Sequence, residues 1–311
     1  MRTELVATVA SLPQAKALLE AGADRLYLGE DYFGLRLPHS FDLDELAEVV
    51  QLTHQHHKKV TVAVNAIFHN DRIKKVGNYL RALQAMSVDE ISVGDPGVIY
   101  LLQQLQITIP YIYDAADLVT SSRQINFWAK HQATAAVLAR EVPYEEMVPL
   151  SKAIKIPVEV LVYGATVIHQ SGRPLLRNYS NFVQEHLAET DRERGLFIAA
   201  PHHPETHYSI YEDVNGTHVF ANNDVDLMTV LPKLWQLGLR RWKLDGLYAD
   251  SQTFPQIVVA FDQARQLLDQ QDNSVSLESQ LQQLDVQVTH NQPNGRGLDL
   301  GFFDLDPNEV K

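Results

Sequence analysis

The chain has no cysteine among its 311 residues. Disulfides, thiolate zinc sites, cysteine nucleophiles and iron–sulfur clusters held by its own thiolates are therefore excluded. It also lacks any apolar run of the roughly 18–20 residues that a membrane-spanning helix needs. The opening decapeptide MRTELVATVA carries one Arg and too short an apolar stretch for a signal peptide, so it reads as a first strand in a cytoplasmic protein. Basic side chains are in deficit, 26 Lys and Arg against 39 Asp and Glu, for a net charge of −13. A chain so acidic does not grip nucleic-acid backbone over its whole surface, although a local basic patch remains open. The short Arg-rich points at 173–177, 192–194 and 240–243 read as solvated faces. No G-x-G-x-x-G turn, Walker A loop, G-x-S-x-G elbow or H-E-x-x-H pair occurs.

What is present is a full globular core, with a 45% hydrophobic share, and a repeating rhythm of strand then helix. Strands are predicted at 5–9, 25–28, 59–67, 90–93, 109–113, 135–139, 158–163 and 241–244, each a β-branched or apolar run. Helical spacing follows at 12–21, 43–57, 71–86, 97–104, 122–131, 144–154, 225–237 and 254–269, with Asp42 as N-cap and Gly22 as terminator. Eight such pairs in about 270 residues predict an α/β fold, a (β/α)8 TIM-like barrel, rather than an open doubly wound sheet. The rhythm breaks once, at an insertion of about 165–223 between strands seven and eight, where a hairpin is expected around Asn215-Gly216. We assign 1–271 to the barrel and 272–311 to an irregular C-terminal extension, packed on the barrel or partly disordered.

The stretch Pro157–Arg177 draws the eye: a buried strand, a stop expected at Gly164, then a polar loop with His169, Gln170, Ser171, Gly172 and Arg173. In a barrel the site lies at the C-terminal strand ends. Those ends read Gly29-Glu30, Asn65, Gly94-Asp95, Asp114, Arg140-Glu141, Tyr163-Gly164 and Asp245-Gly246. Converging carboxylates and an Arg suit acid–base work or an anionic ligand. Asp95, Arg140, Glu141 and Asp245 are the catalytic candidates, and Glu30, Asn65, Tyr163, His169 and Arg173 the substrate-binding ones. The plainer alternative is that such acids cap the following helices, which for Asp95 and Asp245 weighs as much. His202, His203 and His207 lie close together, but without a second ligand pair they read as surface loop, and no metal site is assigned. His54, His56 and His57 end a helix, where cations suit the dipole.

The order Glu159-Val160-Leu161-Val162-Tyr163-Gly164-Ala165, Ser171-Gly172-Arg173, Leu175-Leu176, Asn178-Tyr179 and Arg194-Gly195 resembles the signature region of the U32 "peptidase", or collagenase-like protease, family. Gly94-Asp95-Pro96-Gly97, Ala139-Arg140-Glu141, Lys243-Leu244-Asp245-Gly246 (the family's Lys-Ile-Glu-Gly), Arg296-Gly297 and Gly301-Phe302 extend the resemblance over most of the chain. It implies a barrel and, in many members, a [4Fe–4S] cluster on four cysteines, with work on RNA or quinone precursors that includes prephenate-dependent hydroxylation of the tRNA wobble uridine. At the cysteine positions this chain has Val167, Pro174 and residues near Phe197 and Pro201, so no cofactor is expected within it. It is most similar to the short paralogue that accompanies a longer, cysteine-bearing one in Gram-positive bacteria. The resemblance thus implies a cluster-free partner subunit in wobble-uridine hydroxylation, bound to the longer paralogue and meeting tRNA through it, with homo-oligomers an open question. The rival expectations are a hydrolase using Asp95, Glu141 and Asp245, or a small-anion binder using Arg140 and Arg173.

Overall fold

The computed structural model describes residues 2–115, 118–184, 189–270, 276–293 and 295–308. The barrel half-turns run β1 (Glu4–Thr8), α1 (Leu12–Glu20), β2 (Arg25–Leu28), α2 (Leu43–Gln55), β3 (Lys59–Val64), α3 (Ile73–Ala85), β4 (Glu90–Val93), α4 (Pro96–Gln104), β5 (Tyr111–Tyr113), α5 (Ser122–Lys130), β6 (Ala135–Val137) and α6 (Tyr144–Ala153). Next come β7 (Val158–Ser171), α7 (Leu175–Val183), β8 (Phe197–Ala200), β9 (His203–Asp213), β10 (Gly216–Asp226), α8 (Leu231–Gln236), β11 (Arg241–Leu244), α9 (Phe254–Gln270), α10 (Leu277–Asn291) and β12 (Leu298–Asp299). Strands β1 to β7 pair in parallel with their neighbours, and β11 pairs in parallel with both β7 and β1. Eight parallel strands therefore close on themselves, with helices between them: a (β/α)8 barrel. No helix of the described residues is long and apolar enough to cross a membrane.

Local chemistry explains the boundaries. Ser11 caps α1 by accepting from Gln14 N, and Asp42 and Glu45 form a reciprocal capping box on α2. Between strands and helices lies the apolar shell, with Leu5, Leu18, Leu26, Val62, Ile91, Val162, Trp242 and Phe261 essentially inaccessible.

Inside the barrel, the strand starts carry charge instead. Arg241 donates to Glu159 (Nε–Oε2 2.8 Å) and to Glu90 (Nη2–Oε1 2.5 Å), while Arg25 reaches Glu4 (2.9 Å) and lies 3.7 Å from Glu90. Thr61 completes the layer with a 2.9 Å bond to Glu90. Burial works to raise the Glu90 carboxyl, yet Arg241 and Arg25 outweigh it and hold it below the usual range. Burial likewise opposes the charge of Arg241, and Glu159 and Glu90 reverse that. This floor is a closed ion network.

The principal departure from the sequence expectation is at Gly164. The strand does not stop there: β7 continues to Ser171, and from Tyr163 on it pairs antiparallel with β10. Gly164 has φ +119°, and a Cβ on it would sit 2.2 Å from the Asp245 carbonyl oxygen. The glycine redirects the strand rather than ending it. The hairpin forms as expected, but its two-residue turn is Val214-Asn215, with Gly216 opening β10. The predicted helix 225–237 is also redrawn. Val225 and Asp226 finish β10, a 3-10 turn spans Met228–Val230, and α8 begins at Leu231. In the extension, α10 packs on α9 through Leu281, Leu284 and Val288, an apolar stripe diluted by Gln and Ser in the sequence.

Candidate functional site

The mouth of the barrel gathers Thr8, Tyr27, Arg36, Asn65, Asp114, Arg140, Lys243 and Asp245 around a cavity of about 30 Å3. Thr8, Asn65, Asp114, Arg140 and Asp245 sit at or just past strand ends, as the fold requires of a site. Asp245 is the hub. Its Oδ1 accepts from Leu247 N (3.1 Å) and lies 3.5 Å from Thr8 Oγ1, while its Oδ2 is 3.5 Å from Arg140 Nη2. Arg140 also donates to the Ala165 carbonyl (2.7 Å), which ties β6 to the start of the inserted arm. Across the cavity, Asn65 Nδ2 donates to Asp114 Oδ2 (2.7 Å) and Asn65 Oδ1 accepts from Leu35 N (2.9 Å). Lys243 lies 3.5 Å above the centre of the Tyr27 ring and 3.8 Å from Glu159, linking mouth to floor. Burial, with Asp114 adding to it, pushes the Tyr27 hydroxyl far above its usual range, so it serves as a neutral partner of Ser92 Oγ (3.0 Å).

The arm roofs this mouth. Ala165, Val167, Tyr211, Phe220 and Leu247 form a separate apolar cluster above it, and Val167 reaches the cavity wall. Polar clamps hold the roof down. Asn215 in the hairpin turn donates to the Asp31 and Gly34 carbonyls (2.8 and 3.1 Å) and accepts from Arg72 Nη1 (3.0 Å). Arg192 donates to the Leu37 and Pro38 carbonyls (2.8 and 2.6 Å), and Arg36 to Gln170 Oε1 (2.6 Å). At the same seam, burial and then the Asp213 carboxylate push Asp31 up to about 6. With the roof closed, the cavity has room for one or two waters and not for a nucleobase.

Of the strand-end residues read from the sequence, Asn65, Asp114, Arg140 and Asp245 meet at this cavity. The others lie elsewhere. Asp95 is the N-cap of α4: Oδ1 accepts from Gly97 N (2.7 Å) and Oδ2 from Phe68 N (2.9 Å), which uses both oxygens structurally. Glu141 is half-buried in the turn after β6, outside the cavity wall. Glu30 also lies off the wall, its carboxyl raised by burial and then by Asp42. Tyr163 faces the helix layer, because a register shift between β7 and β11 turns it outward. There it stacks near Phe254 and donates to Gln292 Oε1 (2.6 Å). His169 and Arg173 are exposed on the arm, since their segment is strand and turn instead of a loop dipping into the mouth. Sequence reasoning missed Thr8, Tyr27, Arg36 and Lys243. Lys243 carried a signal, for it shares a strand face with Arg241 two residues earlier, and that face is the barrel interior.

At Val167 and Pro174, two of the positions where the family resemblance implies cysteines, the residues present do not fit an iron–sulfur centre. Val167 is packed among apolar side chains, and Pro174 is exposed at the start of α7. Neither side chain offers a donor atom. Among the described residues no three or more His, Asp or Glu side chains are grouped to hold a metal ion. His203 lies 3.2 Å from Glu205, and His207 stacks on Phe197 at the surface.

Comparison with known proteins adds a lineage to this geometry. The model of peptidase family U32 matches residues 10–310. The chain is 30% identical over 305 residues to "tRNA hydroxylation protein P2" of Bacillus subtilis (strain 168), covering 97% of both. It is 25% identical to "tRNA hydroxylation protein P1" of the same strain, over 79% of this chain and 58% of that one. It is 27% identical to "23S rRNA 5-hydroxycytidine C2501 synthase" of Escherichia coli (strain K12), over 86% of this chain and 39% of that one.

Proposed function

Since the chain belongs to peptidase family U32, we propose that it works in tRNA hydroxylation as a cluster-free subunit that partners a longer paralogue. The observation that carries this reading is the end-to-end match to the P2 protein beside a partial match to the longer P1. Two similar proteins of one organism that bear paired names support a division of labour. The chain's own chemistry fits the accessory role. It has no thiolate with which to hold a cluster, so any such centre belongs to the paralogue. What it does have is a small, charged, roofed cavity where Arg140, Lys243 and Arg36 face Asp114 and Asp245. Such a set can orient a small polar ligand or fix protons while excluding bulk water. The wobble uridine is the substrate position we favour.

The hydrolase reading has less support. Asp95 is a helix cap, Glu141 lies off the cavity, and Asp245 is held by Arg140 and a backbone N–H. Cleavage of gelatin that disappears in Asp245→Asn would restore it.

Strains lacking this chain, the longer paralogue, or both test the proposal. Nucleosides from their tRNA, analysed by mass spectrometry, should lose hydroxylated uridine in each deletion. Unchanged hydroxylation in every strain would sink the tRNA reading. Failure of the two chains to co-purify would sink the partnership alone.

A further inference from the structure

The inserted arm carries an outer surface poor in acids, a feature that it shares with the run from 118 to 140. From Val160 to Gln184, 25 residues pass without an Asp or Glu, although the chain as a whole has 39. The outer part of this run is α7. Its seat on β9 and β10 uses Leu176, Ser180 and Val183, spaced as one helical face. Leu175, Tyr179 and Phe182 make one outer flank, exposed by 38, 65 and 84%. Arg173, just before the helix, and Arg177 make the opposite flank, and exposed Asn178 and Asn181 lie between. Neither arginine forms an ion pair among the described residues. Nearby, on β8 and β9, half-exposed Phe197 stacks on His207 with ring centroids 4.0 Å apart.

An aromatic ring this exposed leaves much of its apolar face in water until something covers it. The chemistry around it selects the partner. Aromatic faces stack unpaired bases, Asn amides read base edges, and guanidiniums bind phosphate. A polyanion is repelled by a surface of net charge −13, and on the exposed residues of α7 it meets arginine and no acid, since Glu212, which accepts from Leu176 N and Arg177 N, is buried beneath the helix. Aromatic and arginine side chains suit a protein interface as well, and it is the combination of basic and amide groups with no exposed acid on α7 that favours a polyanion here.

We propose that the outer face of α7 holds a single-stranded segment of RNA, with bases on Tyr179 and Phe182 and phosphates on Arg173 and Arg177. The proposal rests on the tRNA reading above and assigns it a contact surface on this chain.

Full-length protein, alone and with the longer paralogue, is titrated into a fluorescently labelled RNA stem-loop and into a fully paired RNA of equal length. Salt is varied between roughly 50 and 200 mM. The wild type should prefer the stem-loop. Tyr179→Ala with Phe182→Ala should weaken that binding about tenfold or more at every salt concentration. Arg173→Ala with Arg177→Ala should weaken it and flatten the salt dependence by about one to two counterions. Arg123→Ala, on the exposed face of α5, should change nothing. All four arm side chains are exposed, so circular dichroism and thermal melting should match the wild type. Wild-type affinity in both double variants overturns the proposal, as does absence of RNA binding by the wild type in either form. The tRNA reading would survive those results if the deletion strains still lost hydroxylated uridine. If the variants keep RNA affinity but lose the paralogue, α7 is a protein interface and the proposal fails.

Discussion

The two ends of the barrel interior solve the same problem in opposite ways. At the floor, Glu4, Arg25, Glu90, Glu159 and Arg241 pair at short range, and Glu159 Oε1 is the one buried atom among them left without a hydrogen bond from the described residues, 3.8 Å from Lys243. At the mouth, Asp245 and Arg140 stand 3.5 Å apart, Asn65 bridges to Asp114, and a cavity remains between the groups. A closed network specifies the fold and leaves nothing over for a ligand. The mouth spaces its charged groups around a cavity instead. Charge inside the protein is therefore packed without a gap at one end and lines a cavity at the other.

The largest effect should come from breaking the floor. Arg241→Met leaves Glu90 and Glu159 buried without their main cation, and unfolding free energy should fall by about 3–5 kcal/mol. Urea melts with an unchanged slope would measure it. A loss under ~1 kcal/mol would mean that the floor is not the closed network described here.

A third kind of buried charge sharpens the contrast. Asp226, at the end of β10, has no cation, and its Oδ2 has no partner among the described residues. Burial raises it to about 7, with the Met228 N–H opposing and Asp285 adding. The folded state therefore binds this proton more tightly than the unfolded chain does. Its contribution is fully present below the unfolded value near 4 and is lost as pH rises through about 7. Asp226→Asn should raise stability at pH 8 by something on the order of 2 kcal/mol and do little at pH 4. Melting curves at both pH values decide it, and an equal shift at both would remove the titration from the explanation.

Next in size is the roof clamp. Asn215→Ala strips the partner from the Asp31 and Gly34 carbonyls and from Arg72, costing about 1–3 kcal/mol. Hydrogen exchange should quicken in β9 and β10 and not in β1 to β4. Smallest in stability should be the mouth itself. Asp245→Asn keeps the shape and should cost about 1 kcal/mol, yet tRNA hydroxylation should fall steeply in a strain carrying it. Wild-type hydroxylation there would mean that the mouth cavity is not used.

Much of this fold was legible in the chain. The bounds of β2, β4 and β11 coincide with their apolar runs, and the barrel follows from eight such runs with helical spacing between them. The misreadings have local causes. A glycine after an apolar strand reads as a stop, and only the closeness of the Asp245 carbonyl reveals Gly164 as a bend. Tyr163 continues the alternation of β7 on paper, but one shifted register reverses its face. Val225 and Asp226 look like a helix start until β12 and the arm pair with β10 around them. Asn65, Arg140 and Asp245 could be read because strand ends are fixed by topology. Arg36 could not, because it reaches the cavity from a loop at positive φ whose course depends on the arm above it.

The C-terminal tail builds a second chamber beside the mouth. Leu300, Phe302 and Phe303 line a small apolar cavity whose other walls include Leu138, Arg140 and Leu161, three residues that also line the mouth cavity. Those three shared residues are the partition between two chambers, and the tail closes the far side of the second, fastened where Phe303 O accepts from Tyr144 N at 2.8 Å. Removing Leu300–Phe303 would strip the outer wall from the second chamber and leave the lining of the mouth in place, so the mouth is walled by the barrel and the arm alone.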